Sequence, residues 1–76
     1  MTMNQMKIGG EATILQLGVR GGIRRRLQDL GLIEGTHVKC LQKSPLGDPS
    51  AFLIRGAVIA IRSDDTSLII VKEKQK

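Results

Sequence analysis

The chain has almost no aromatic side chains: Phe52 is the only one among 76 residues, and Trp and Tyr are absent. A core built from this sequence must be aliphatic, filled by Ile, Leu and Val. Base stacking on aromatic faces, the usual way of holding single-stranded nucleic acid, is unavailable. Cysteine is as scarce, and the lone Cys40 excludes an internal disulfide. Histidine is represented only by His37. One His and one Cys fall short of the three or four ligands of a single-chain zinc site. Their spacing argues the same way, because positions i and i+3 of an extended strand point to opposite faces. Cys40 reads as a small core residue and His37 as an exposed or partly exposed one. Residues 1–5 are polar and do not resemble a signal peptide. No apolar run approaches the ~20 residues that cross a bilayer. The expectation is a reduced, soluble, cytoplasmic protein.

Catalysis is poorly provided for. Nucleophilic chemistry needs a nucleophile, a base and an orienting group in a cleft. One His cannot serve a triad, and neither Gly9-Gly10 nor Gly21-Gly22 matches a phosphate cradle. Asp64-Asp65 reads as a turn. No enzyme activity, cofactor or metal site is expected.

What is present is a hydrophobic content of 41%, enough to exclude a disordered chain. At this length one domain is expected, burying roughly 60% of its unfolded surface. Net charge is +5. That favours anionic partners, whether nucleic acid, acidic lipid or an acidic protein face, without choosing among them.

The period along the chain changes once. Residues 1–6 read as a loose leader. Residues 12–17 alternate weakly and read as a short strand. Ile23, Leu27 and Leu30 then follow i, i+4, i+7 and share one helical face. Gly31 is a plausible cap just past the end. The charges of this helix oppose its dipole, with Arg24, Arg25 and Arg26 toward the N-terminus and Asp29 near the C-terminus. Local rules are broken where another demand exists, and a partner for the arginines is one such demand. After the helix the period becomes 2. Val38 and Cys40 face one way, His37, Lys39 and Leu41 the other. Phe52 and Ile54 share a face, Gly56 marks a tight turn or bulge, and residues 57–61 form the next strand. Residues 63–66 can form a single helical turn. Residues 68–72 read as a strand buried on both sides, and residues 73–76 as a frayed tail.

Several short strands with turn signals between them indicate a small barrel or sandwich. A mainly β, five-stranded SH3-like barrel with one short helix inserted after the first strand fits best, since closure removes exposed edges. Both prolines fall in Ser44-Pro45-Leu46-Gly47-Asp48-Pro49. Each fixes φ and removes a donor, so the segment is a loop of specified shape between two strands. Ordered loops on a rigid scaffold often carry binding surfaces; a stiff turn that only sets strand register is the alternative. The remaining positive charges (Lys39, Lys43, Arg55, Arg62, Lys72) are spread along strands, which suits phosphate contact better than sequence readout.

Residues 27–71 resemble the FeoA family. The matching text runs Arg26-Leu27-Gln28-Asp29-Leu30-Gly31-Leu32-Ile33-Glu34-Gly35-Thr36-His37-Val38. It continues through Pro45-Leu46-Gly47-Asp48-Pro49, then Arg55-Gly56, Ala60-Ile61-Arg62 and Ile69-Ile70-Val71. The resemblance implies an SH3-like barrel. It also implies an accessory or regulatory role toward the ferrous-iron permease FeoB, through contact with that protein's cytosolic nucleotide-binding part. The same domain type occurs in iron-dependent repressors of the DtxR class, but no helix-turn-helix is present here. Glu34 stands where the family often has Pro, and Thr66 where it commonly has Ala. The family carries no catalytic residues to transfer. It is often described as binding transition metals, for which this chain offers no ligand set. The candidate partner contacts are Arg24, Arg25 and Arg26 on the helix and Pro45, Leu46, Gly47, Asp48 and Pro49 in the loop. The competing readings are a transition-metal sensor or carrier and, less favoured, a basic nucleic-acid-binding module.

Overall fold

A computed structural model describes residues 1–46 and 48–74. Five strands form one antiparallel sheet in the order β4-β3-β2-β1-β5. They are β1 (Glu11–Leu17), β2 (His37–Lys43), β3 (Ser50–Ile54), β4 (Ala57–Ile61) and β5 (Ile69–Glu73). Helix α1 (Gly21–Asp29) follows β1, and one turn of helix, α2 (Ser63–Thr66), joins β4 to β5. This is the mainly β architecture with a short inserted helix that the period change foretells.

Alternation decides which side chains enter. Ala12, Ile14, Val38, Cys40, Phe52, Ile54, Ile61, Ile69 and Val71 point into one core, joined by Val19, Leu27 and Leu32. Phe52 is the single ring in an otherwise largely aliphatic interior. Two register shifts interrupt the ladders, between Ile14 and Gln16 on β1 and between Cys40 and Gln42 on β2. Bulges of this kind bend a strand and increase its twist, which curls the sheet. Across the bulge on β1 both Leu15 and Gln16 face outward, and Leu17 returns to the core. Between β3 and β4 only Arg55 and Gly56 intervene, at φ 49° and 82°, with Ile54 paired to Ala57. A two-residue turn with positive φ at both positions matches the right-handed twist of the flanking strands.

Helix α1 ends in a Schellman motif. Gly31 takes φ 104°. Its N–H donates to Gln28 O (3.0 Å), and Leu32 N–H donates to Leu27 O (2.9 Å). Leu32 and Leu27 are both buried, as the hydrophobic contact of that motif requires. A Cβ at residue 31 would lie 2.6 Å from Arg55 Cδ, so the glycine also makes room for the stem of Arg55.

Three expectations are corrected. Residues 1–6 are not a loose leader: Met3 and Met6 are buried in the core, and Met3–Gln5 forms a 3-10 turn. Thr2 bridges Ile70, and Val71 N–H donates to Met1 O (2.9 Å), so the N-terminal segment covers the outer edge of β5. Strand β5 is buried on one side only, with Ile69 and Val71 inward and Ile70 outward, because a helix-poor barrel of this size has only one covered sheet face. The tail begins later than expected: Glu73 completes β5 and Lys74 N–H donates to Glu11 O (2.9 Å), while residues 75 and 76 lie outside the described ones.

Candidate functional site

The three helix arginines do different things. Arg24 is half-buried, and its guanidinium donates to the carbonyl oxygens of Leu17 and Val19, the latter at 3.3 Å. It ties α1 to the end of β1, which meets locally the demand that sets its charge against the helix dipole. Arg25 is exposed beside a shallow hollow shared with Gly21, Gly22, Arg24 and Gln28. Arg26 turns into a different hollow, a groove of about 220 Å³ between α1 and β4. Ile23, Leu30, Ile59 and Ala60 give this groove its apolar lining; Arg62 and Asp65 join Arg26 as its charged groups.

The loop between β2 and β3 is built to hold its shape. Ser44 N–H donates to Pro49 O (3.2 Å), closing its base. Asp48 reaches across to α2: one carboxylate oxygen accepts the Ser63 N–H at 2.8 Å and the other accepts the Ser63 hydroxyl at 3.3 Å. A carboxylate on the first N–H of a helical turn satisfies a donor that has no partner within the helix. Asp48 therefore serves the scaffold. Pro45 and Pro49 are exposed and flank a shallow hollow with Ala51 and Ala60. Leu46 is the outlier, 93% exposed at the loop tip. Gly47 lies outside the described residues.

Ala60 lines both the α1–β4 groove and the hollow beside the prolines. The structure thus brings Arg26 and the loop toward one end of β4. Arg24 and Arg25 do not join them there. Arg62 was read from sequence only as one of several dispersed charges. Its position opposite Arg26 depends on which strand lies at the sheet edge, and alternation carries no such information.

A further hollow, about 600 Å³, opens among Glu11, His37, Lys39, Leu53 and Arg55. His37 Nε2 and Glu11 Oε1 lie 2.8 Å apart, linking β1 to β2. This hydrogen bond, reinforced by the charge of Lys74, holds the Glu11 carboxyl below its ordinary value. Beside it, Thr36 is buried, its hydroxyl donating to Gly31 O (2.8 Å). The hydroxyl is engaged in supporting the turn after α1 and is not presented to a reactant. Cys40 lies on the opposite face of β2 from His37, and burial pushes its thiol up from the ordinary range. Among the described residues, no group of three His, Cys, Asp or Glu side chains is placed to hold a metal ion.

Known proteins share this fold. The FeoA domain model matches residues 1–73. The Fe(2+) transport protein A/Fe(2+) transporter FeoB fusion protein of Porphyromonas gingivalis is 28% identical over 72 residues. That match takes in 95% of this chain but only 8% of the fusion protein's length. The solution structure of FeoA from Chlorobium tepidum superposes with a TM-score of 0.92 at 33% identity, covering 96% of this chain and 70% of that one. FeoA of Stenotrophomonas maltophilia, described as an SH3 domain protein, shares the fold with a TM-score of 0.83 at 24% identity over 95% of this chain and 89% of its own. A family match that runs from the packed N-terminal segment through β5 leaves one conclusion: the chain belongs to the FeoA family.

Proposed function

We propose that this chain is a cytoplasmic accessory protein of ferrous iron uptake that acts by docking onto the cytosolic part of a FeoB-type transporter. The observation that carries the reading is the relative in which an FeoA unit and a FeoB transporter are one polypeptide. Domains joined covalently in one protein often act on each other as separate chains in another. The physical features agree with a docking module. The scaffold is small and rigid, the charge is +5, and the groups that elsewhere would carry chemistry are engaged structurally. The contact residues we assign are Arg25 and Arg26 on α1, with Pro45, Leu46 and Pro49 in the β2–β3 loop. Arg24 and Asp48 support them from within the scaffold.

Calorimetric titration of this chain with the purified nucleotide-binding part of a FeoB-type transporter tests the reading. Saturable binding is expected, weakened by joint reversal of charge at Arg25 and Arg26 and by Leu46→Asp, with the melting temperature of each variant unchanged. Absence of binding, or equal affinity in all variants, would overturn it.

A further inference from the structure

The sheet has two edges, and the chain treats them differently. The outer edge of β5 is covered by residues 1–2. β4 lies at the other end of the strand order and pairs only with β3. Among the described residues, none of its N–H or C=O groups bonds to backbone outside that ladder. In an antiparallel pair every second residue directs its backbone groups away from its neighbour, so β4 presents a row of open donors and acceptors. Its sequence, Ala57-Val58-Ile59-Ala60-Ile61, contains no charge and no proline. Proteins usually blunt an edge with one of these or cover it. This edge is unprotected.

The α1–β4 groove runs along that edge. Ile59, Ala60, Ile61 and Arg62 all line it, four residues in succession. Neighbouring side chains of a strand point to opposite faces; consecutive residues line one groove only when the groove lies against the edge. The opposite wall is helical, from Ile23 to Leu30. A cleft between an edge strand and a helix is the geometry in which domains bind an extended peptide by strand addition. At about 220 Å³ it falls below the 300–1,000 Å³ usual for small-molecule sites and suits an apolar side chain of a peptide.

The charged groups choose the occupant. Arg26 and Arg62 stand against the single carboxylate of Asp65, and no ion pair involving any of the three forms among the described residues. A second copy of this chain would bring two more arginines and a net charge of +5 to the same place. We infer that β4 and α1 form a site for an extended segment of another protein, one with an apolar residue flanked by acidic side chains, which adds a strand to β4 and pairs with Arg26 and Arg62. This rests on the docking role proposed above and specifies its chemistry.

The test uses the full chain and a probe peptide about eight residues long that alternates aspartate with valine and isoleucine. Its control has lysine for aspartate. Amide shifts and hydrogen exchange are followed residue by residue. The expected result is perturbation centred on residues 59–62 and 23–30, slowed exchange at alternate β4 amides, and no response to the lysine peptide. Arg26→Glu and Arg62→Glu should each weaken binding by about tenfold or more, the scale of a lost charge-assisted hydrogen bond. Perturbation elsewhere, no perturbation, or self-association through β4 in place of peptide binding would overturn the inference. The transporter fragment is titrated separately. Peptide binding in the groove without transporter binding sinks the docking role and leaves the site standing. Transporter binding indifferent to Arg26→Glu and Arg62→Glu sinks the site and leaves the docking role standing.

Discussion

Arg24 illustrates how a side chain that looks like a partner contact can belong to the scaffold. Its two carbonyl acceptors, on Leu17 and Val19, lie where β1 gives way to α1. Arg24→Ala is expected to cost about 1–2 kcal/mol in urea denaturation, because a charged donor is lost and two carbonyls are left short of a partner. Arg25→Ala should stay within about 0.5 kcal/mol, as surface substitutions do. The sequence showed three equivalent arginines because helical position alone does not reveal which carbonyls lie in reach. Glu11 allows a second check at this scale. Its folded pKa is depressed below the ordinary 4.5, first by the His37 hydrogen bond and then by Lys74. A depressed carboxylate contributes stability that is present above its unfolded value and is lost as the pH falls through its folded value. Glu11→Gln should therefore lower stability in the neutral region, where the contribution is fully present, and flatten the acid side of the curve, so that variant and parent converge as the pH falls below about 4.5.

Elements were legible where period and capping agreed. Ile23 and Leu27 announced α1, and Gly31 announced where it stops; the structure supplies both Schellman bonds and the part of Leu32 in them. Leu30, grouped with them by spacing, is 41% exposed because it sits at the cap, beyond the last helical turn. The 45–49 loop was legible as an ordered turn, while its attachment to α2 was not. Asp48 and Ser63 are 15 residues apart, and nothing local ties them. Asp48→Ala should cost about 1 kcal/mol, the usual value of a lost helix cap, and speed amide exchange at Ser63–Thr66. Asp48→Asn keeps one acceptor for Ser63 and should recover most of that loss. Unchanged exchange in the alanine variant would show that α2 is held instead by the burial of its own Thr66. The groove along β4 was the least legible feature. Alternation assigns faces, but the order of strands in a sheet depends on long-range pairing.

For the whole molecule, the decisive correction concerns residues 1–6. Met3 and Met6 are spaced like one helical face, but with only polar Asn4 and Gln5 between them and Thr2 before them the signal is too short to weigh. Both are within 3% of full burial. Met3→Ala is expected to destabilise the protein by about 2–4 kcal/mol, a core-sized loss from a segment that composition marks as dispensable. Against a total of roughly 5–15 kcal/mol, thermal melting should register it clearly. A truncation lacking residues 1–6 should melt lower still and expose the outer edge of β5.

The bridge between Thr2 and Ile70 also bears on how the molecule is made. Residues 1–2 pair with β5, which follows every other strand of the sheet in sequence, and β1 is flanked by the same strand. At about 5–20 residues per second, synthesis runs for several seconds before β5 exists. During that time β1 to β4 have their mutual partners, but β1 lacks its outer neighbour and the barrel is unfinished. Closure is then a single late event, in which β5 docks against β1 and residues 1–2 together.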